Sequence, residues 1–329
     1  MDIKKKLVDN FINLLNNKWT TEKVKVLIYD NEIDRLRIFK EKQSYFEEKL
    51  KSFDFKYVKK KLHYLTFLNS ADVIFSYGIS SHLKFNNIKL IYIGQVGTGI
   101  PNNTLAQVKV VHTPNLVANF ISEYVISAIL SFEHRLHIAG ILKNKKNWAQ
   151  KPFTETTPRN IKDLKVGILG LGNVGSLLAK ELKNFGCFIA GYDVKPKSFS
   201  FLDEFFDDEN GLEQLLSYSD YIILTMNSNK DNYHFINKNR FNKINSNACL
   251  INVSRGQLID DKALISALKN KTIRGAVLDV FDKEPLPRYS PLWRFDNVII
   301  TPHIAGNINY VFDKIADNFF NTLIKEFNV

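Results

Sequence analysis

Cysteine is nearly missing from the 329-residue chain: Cys187 and Cys249 are the only two, far apart and in neither a C-x-x-C nor a zinc-ligand spacing. A disulfide framework and a structural metal are thereby excluded, and both thiols are expected to be buried as small apolar groups. Long apolar runs are missing as well. Stretches such as "YVISAIL" at 124–130 fall far short of the roughly 20 residues a membrane helix needs. The opening "MDIKKKLVDNF" has no apolar signal-peptide core, so a soluble, cytoplasmic protein with no membrane role is expected. Concentrated positive charge is also lacking. The net charge is +11, yet no basic run reaches five residues, and the densest groups are Lys4 to Lys6 and Lys59 to Lys61. Nucleic acid binding draws its affinity from clustered cations that release counterions, so scattered lysines predict a solvated surface and no nucleic acid partner.

What is present is enough for two cores: 45% of the residues are hydrophobic, over a length that one core rarely organises. Two domains are expected. "KVKVLIYD" at 23–30, "ADVIFSYG" at 71–78 and "IKLIYIG" at 88–94 read as short buried strands with helix-compatible segments between them, the pattern of a parallel sheet with crossover helices. From Asn119 to about Lys145, Ile121, Val125, Ile129 and Phe132 recur at helical spacing and predict one extended helix. From Leu164 the alternation restarts with six strand candidates, "KVGILGLG", "FIAGYDV", "DYIILTMN", "NACLINVS", "IRGAVLDVF" and "NVIITPH", as a dinucleotide-binding sheet requires. Beyond residue 306 only an amphipathic segment, "YVFDKIADNFFNTLIKEF", remains.

In "VGILGLGNVGSLLAKELKNFG", Gly170, Gly172 and Gly175 stand in G-x-G-x-x-G order between a strand and a helix that stops at Gly186. Gly170 permits a tight turn, Gly172 leaves room for a pyrophosphate against the backbone, and Gly175 lets helix and strand approach; Asn173 and Val174 open the helix whose N-terminus faces the phosphates. A bare glycine pattern is weak, but here strand, glycines and helix come in the required order. Asp193 ends the next strand 18 residues past Gly175, where a carboxylate accepts hydrogen bonds from the adenosine ribose and repels a 2′-phosphate. NAD is therefore expected over NADP, although Lys195 and Lys197 stand just beyond.

Three further side chains follow predicted strand ends, the edge where open α/β sheets bind ligands: Arg255, Glu284 and His303. Singly, each reads as an ordinary loop residue. Together they suit interconversion of a 2-hydroxy and a 2-oxo acid, which needs a guanidinium for the carboxylate or carbonyl and a near-neutral group to move the hydroxyl proton. A carboxylate at the imidazole would orient the ring and favour its protonated form, the role expected of Glu284 toward His303.

The order of the glycine loop, "INVSRGQLIDDKALISALKN", "GAVLDVFDKEPLP" and "SPLWRFDNVIITPHIAG" resembles the D-isomer-specific 2-hydroxyacid dehydrogenases, the family of D-lactate, glyoxylate/hydroxypyruvate and phosphoglycerate dehydrogenases. The resemblance is strong from about residue 164 to 306, weaker through "LIYIGQVGTGI" and "SEYVISAILSFEHRL", and slight over the first 70 residues. It implies an α/β protein in which a Rossmann dinucleotide-binding domain, 119–306, is inserted into a smaller flavodoxin-like substrate domain formed by 1–118 and 307–329, to which the last helix returns. It implies that Arg255 binds and polarises the substrate, Glu284 tunes the histidine, and His303 is the acid/base. It further implies that Asp279 hydrogen-bonds the nicotinamide amide, and that Asn227, Val253, Ser254, Arg255, His303 and Gly306 line the cofactor. Val96 and Gly97 would offer backbone N–H groups to the substrate carboxylate. Similar enzymes are homodimers, mostly through their cofactor domains, with the 119–145 segment a contributor.

The chain departs from the family's pattern at Gly99, commonly Asp, and at Thr225-Met226-Asn227, where His-x-Pro is frequent. The segment from Lys145 to Asn160 resembles the family only at Trp148. No regulatory domain is expected after the last helix, which argues against a long, allosteric phosphoglycerate dehydrogenase, and Glu284 argues against a formate dehydrogenase. The expected activity is reduction of a small 2-oxo acid to the D-2-hydroxy acid, or the reverse, with NAD(H). Two alternatives stay open: an NADPH-dependent glyoxylate/hydroxypyruvate reductase, and a dinucleotide-sensing, corepressor-like binding protein.

Overall fold

β-Branched and aromatic residues set the first sheet. In a computed structural model that describes residues 22–30, 33–68, 70–76, 87–94, 108–113, 116–154, 158–195, 198–306 and 309–328, the chain divides into two compact units, 1–116 with 308–329, and 117–307.

The first unit holds β1 (Val24–Tyr29), α1 (Ile33–Tyr45), β2 (Phe53–Val58), α2 (Lys61–Leu68), β3 (Val73–Ser76), β4 (Leu90–Ile93) and β5 (Lys109–His112). Its five strands are all parallel, in the order β2-β1-β3-β4-β5. That is the flavodoxin-like order. β3 and β4 are buried on both faces, so they read as continuous apolar runs. The two edge strands did not read that way: "FDFKYV" and "KVVH" mix charge with apolar residues because an edge is half exposed, so the expectation of helical segments between three strands is corrected to five strands. The amphipathic tail is α8 (Asn309–Phe327). It closes over α1, with Phe319 and Phe320 ring centroids 5.9 and 6.1 Å from Phe39, Lys42 Nζ 3.0 Å from Asp317, and Tyr92 OH donating to Asn318 Oδ1 at 2.6 Å.

The second unit runs through α3 (Ala118–Glu133), α4 (Leu136–Asn144), β6 (Lys165–Leu169), α5 (Asn173–Asn184), β7 (Phe188–Tyr192), β8 (Glu204–Phe206), α6 (Glu209–Tyr218), β9 (Tyr221–Leu224), β10 (Cys249–Asn252), α7 (Asp261–Lys269), β11 (Gly275–Leu278) and β12 (Val298–Ile300). Its seven strands are all parallel, ordered β12-β11-β10-β9-β6-β7-β8. β8, three residues at the sheet edge, adds a seventh strand to the six expected. The order reverses between β6 and β9, and ligands of open α/β sheets bind beyond the carboxyl ends of the strands at such a switch point. Both cysteines are fully buried, and burial pushes the Cys187 thiol up to about 11 and the Cys249 thiol to about 12. Among the described residues no single helix is long and apolar enough to cross a membrane.

The expected extended helix is instead two. α3 and α4 meet at 67°, with Arg135 left-handed at φ +52° between them. Neither Pro nor Gly marks the break. Long-range bonds hold it: Arg135 Nη1 donates to Pro152 O at 2.5 Å, and Glu133 is drawn inward by Arg274 and Arg159, 2.7 and 2.8 Å away. Helical periodicity continues on both sides of the break, so the sequence pattern does not show it.

Candidate active site

The glycine loop closes β6 onto α5, and each glycine answers a different constraint. Gly170 is left-handed at φ +101°, and a β-carbon there would lie 2.5 Å from the Met226 backbone nitrogen. A β-carbon on Gly175 would lie 2.0 Å from Gly170 O, so only glycine lets α5 approach the loop this closely. At Gly172 a β-carbon would meet nothing within 4 Å: that side of the loop is open, beside the exposed Asn173 at the N-terminus of α5. Asp193, just past β7, accepts from Leu171 N at 2.9 Å and Lys195 N at 3.1 Å, which orients its carboxylate across the same loop. These residues fit a dinucleotide: an open backbone face at a helix N-terminus for phosphate and an acidic group for ribose hydroxyls.

Beyond β10, buried Asn252 shapes the next loop. Its side chain donates to Arg255 O at 2.9 Å and accepts from Ser254 N at 3.0 Å. Ser254 Oγ donates to Met226 O, joining this loop to the one after β9, where Asn227 is exposed and its carbonyl accepts from Asn232 at 2.7 Å. Arg255 is half-buried and donates from Nη1 to Ser254 O at 2.7 Å. Gly256 packs backbone to backbone on the β11 loop, where a β-carbon would fall 1.8 Å from the Phe281 carbonyl carbon. The loop carrying Arg255 therefore lies directly against the loop carrying Glu284.

Glu284 accepts from Phe281 N at 3.0 Å through Oε1 and reaches His303 Nδ1 at 2.8 Å through Oε2. One oxygen is anchored and the other meets the ring, leaving Nε2 with no hydrogen bond among the described residues. His303 follows β12 in a left-handed conformation, φ +55°, which costs a non-glycine residue free energy and persists only where its surroundings over-determine it. Here Asp279, 1% exposed, supplies that determination. Its carbonyl accepts from His303 N at 2.8 Å. Its carboxylate accepts from Thr301 Oγ1 at 2.5 Å, Ile304 N at 2.9 Å and Ala305 N at 2.9 Å.

Of the residues singled out in the sequence, Glu284 and His303 are in contact and Arg255 stands on the adjoining loop. Gly170, Gly172, Asn173, Val174, Gly175 and Asp193 gather at the ends of β6 and β7, and Val253 and Gly306 flank the loops after β10 and β12. Val96, Gly97, Gly99 and Lys197 lie outside the described residues. Asp279 was expected at the nicotinamide amide, and three of its carboxylate's acceptor positions are given to the turn around His303. Sequence reasoning passed over Asn252, Gly256, Thr301 and Tyr124, whose hydroxyl is 2.6 Å from Thr301 Oγ1. Only Thr301, two residues before the histidine at a strand end, carried a local signal.

Comparison with known proteins follows the same residues. The family profile described as "D-isomer specific 2-hydroxyacid dehydrogenase, NAD binding domain" matches residues 126–305. A glyoxylate reductase of Thermofilum pendens is 35% identical over 233 residues, which make up 67% of this chain and, just under two thirds, 66% of that enzyme. A D-isomer specific 2-hydroxyacid dehydrogenase of Xanthobacter autotrophicus solved with NADPH shares the fold at TM-score 0.74 and 23% identity, over 90% of this chain and 92% of that one. One of Lactobacillus delbrueckii solved with NAD does so at TM-score 0.72 and 18% identity, over 92% and 97%. With the family profile covering more than half of the chain, and the glycine loop and the loops after β10, β11 and β12 inside it, the chain belongs to the D-isomer specific 2-hydroxyacid dehydrogenase family.

Proposed function

We propose that this chain reduces a small 2-oxo acid to the D-2-hydroxy acid with NAD(H), and catalyses the reverse reaction when the substrate balance favours it. The observation that carries this reading is the 2.8 Å pair between Glu284 Oε2 and His303 Nδ1 at the end of the last parallel strand. With Nδ1 facing a carboxylate, the opposite nitrogen is the one available to substrate, so His303 gives its Nε2 proton to the carbonyl oxygen. Arg255 holds the substrate carboxylate and polarises the carbonyl through its fork of N–H donors. The glycine loop and Asp193 would hold the nicotinamide cofactor, which would supply the hydride. Glu284 keeps the ring oriented while the proton leaves. Val96 and Gly97 are assigned as further donors to the carboxylate on the strength of the family resemblance alone.

Asp193, Asn227, Val253, Ser254 and Gly306 complete the cofactor site in this reading, with NAD preferred because a carboxylate at Asp193 repels a 2′-phosphate. A second reading, NADPH-dependent reduction of glyoxylate or hydroxypyruvate, is supported by Lys195, exposed two residues further on. A homodimer through the second unit is also proposed. α4 buries none of its nine residues although it carries Leu136, Ile138, Ile141 and Leu142, with Leu136 59% exposed and the nearby Trp148 93% exposed. The test is oxidation of NADH and of NADPH against glyoxylate, hydroxypyruvate, pyruvate and bulkier branched or aromatic 2-oxo acids. Turnover with a small acid and NADH is expected; turnover with none of them sinks the enzymatic reading, and a preference for NADPH transfers the case to the second one.

A further inference from the structure

We infer that Tyr124 and Thr301 are positioning residues for proton transfer, acting on His303 through Asp279; the inference rests on the acid/base role proposed above for that histidine. Three side chains form a line in the second unit. Tyr124 OH is 2.6 Å from Thr301 Oγ1, and Thr301 Oγ1 is 2.5 Å from Asp279 Oδ1. The direction of the line follows from counting protons. The Asp279 carboxylate accepts from two amide N–H groups, Ile304 and Ala305, so Thr301 must donate its single hydroxyl proton to it. The Thr301 oxygen can then only accept, and Tyr124 must donate. Burial raises the Tyr124 phenol above its ordinary pKa, so the donor keeps its proton at neutral pH.

The far end of the line is the turn that carries the imidazole. Asp279 holds both sides of His303: its carbonyl takes the His303 N–H at 2.8 Å, and its carboxylate takes the next two amides. His303 has φ +55°, so its turn lacks the support of a relaxed backbone and depends on those bonds. Tyr124 sits on α3 and Thr301 just past β12, so the line ties the histidine's turn to a helix packed beside the sheet as well as to the neighbouring strand. Orienting a hydroxyl donor toward Thr301 fixes which way Thr301 points, and a fixed Thr301 leaves Asp279 one geometry in which all four donors are satisfied. Neither hydroxyl touches substrate in this scheme; they set where Nε2 stands.

The experiment compares Tyr124→Phe, Thr301→Val and Thr301→Ser with the wild-type chain. Tyr124→Phe and Thr301→Val are expected to lower kcat about tenfold, less than the hundredfold a displacement near 1 Å can cause, while KM for NADH and for the 2-oxo acid stays within about twofold. Thr301→Ser keeps the hydroxyl and is expected to return kcat to within about twofold of wild type. A second readout needs no turnover: the two imidazole ¹⁵N shifts of His303, which report the ring's protonation and hydrogen bonding, should move in the Phe and Val variants and recover in the Ser variant. Unchanged kcat and unchanged ¹⁵N shifts in both Tyr124→Phe and Thr301→Val, or a Ser variant as impaired as the Val variant, overturn the positioning role. A wild-type chain that reduces no 2-oxo acid overturns the acid/base reading instead, and the ¹⁵N shifts then decide the positioning claim alone.

Discussion

His303 shows how a single residue acquires a role from its neighbours. On its own it was a loop histidine. Its place after a parallel strand, at fixed distance from an arginine and a glutamate at equivalent ends, made it a candidate, and the 2.8 Å bond from Nδ1 to Glu284 leaves only Nε2 to meet a substrate. His303→Ala is therefore expected to slow reduction by roughly a hundredfold to ten-thousandfold, the range for a lost acid/base, with little change in NADH binding measured by fluorescence quenching. A near-normal rate in that variant would remove the histidine from the chemistry. The three glycines were legible for the same reason that they are required: each constraint is local to one strand, turn and helix. Asp279 and Asn252 were not legible in their structural roles. Asp279's partners, Thr301, Ile304 and Ala305, lie 22 to 26 residues away and meet it only once the strands are side by side. Asn252 bonds within its own turn, to Arg255 O three residues on and Ser254 N two residues on, and carried no motif that marked it.

At the scale of elements, inner strands were legible, and of the four edge strands only β12, whose β-branched run "VII" is uninterrupted by charge, was. β3, β4, β9 and β10 are buried throughout and spell apolar runs; β2, β5 and β8 are half exposed and spell mixtures. The break between α3 and α4 was hidden because its cause lies in distant residues. Glu133, at the end of α3 with its side chain 4% exposed, meets Arg159, Arg274 and Tyr221. Burial alone would raise its pKa, but the hydrogen bonds from Arg159, Arg274 and Tyr221 and the charge of Arg274 outweigh it and bring the carboxyl from 4.5 to about 2. A carboxyl whose folded pKa is depressed stabilises the fold above its unfolded value and loses that contribution as pH falls. The contribution, roughly 3 kcal/mol, is thus complete above about pH 4.5 and fades toward about pH 2. Urea midpoints measured across that window should fall with pH in the wild type. Glu133→Gln should be less stable at neutral pH, because Arg274 loses its carboxylate partner and Arg159 keeps only Asp220, and its midpoint should fall less steeply on acidification. Parallel slopes for the two proteins would remove Glu133 from the acid response.

For the whole molecule, chain order was the most legible feature: a parallel sheet, a second and larger parallel sheet, and a helix that rejoins the first unit. Which surface faces another chain was not, because an apolar helix reads alike whether its own core or a partner covers it. α4 separates the two cases. α3 buries Val125, Ile129 and Phe132 against the core of its unit, whereas α4, of similar apolar content, fully buries none of its residues. The proposed homodimer would cover Leu136 and Trp148, and a stable interface between copies needs roughly 1,200–2,000 Å² in total, more than one helix supplies. Such an interface would therefore extend from α4 into the segment bearing Trp148. Light scattering coupled to size exclusion is expected to give twice the chain mass, and the pair Leu136→Asp with Ile141→Asp should give the single-chain mass. Since Leu136 is exposed and Ile141 only partly covered within its own unit, far-UV circular dichroism of the variant should match the wild type. A monomeric wild type would refute the dimer, and a variant that stays dimeric would place the interface elsewhere than α4.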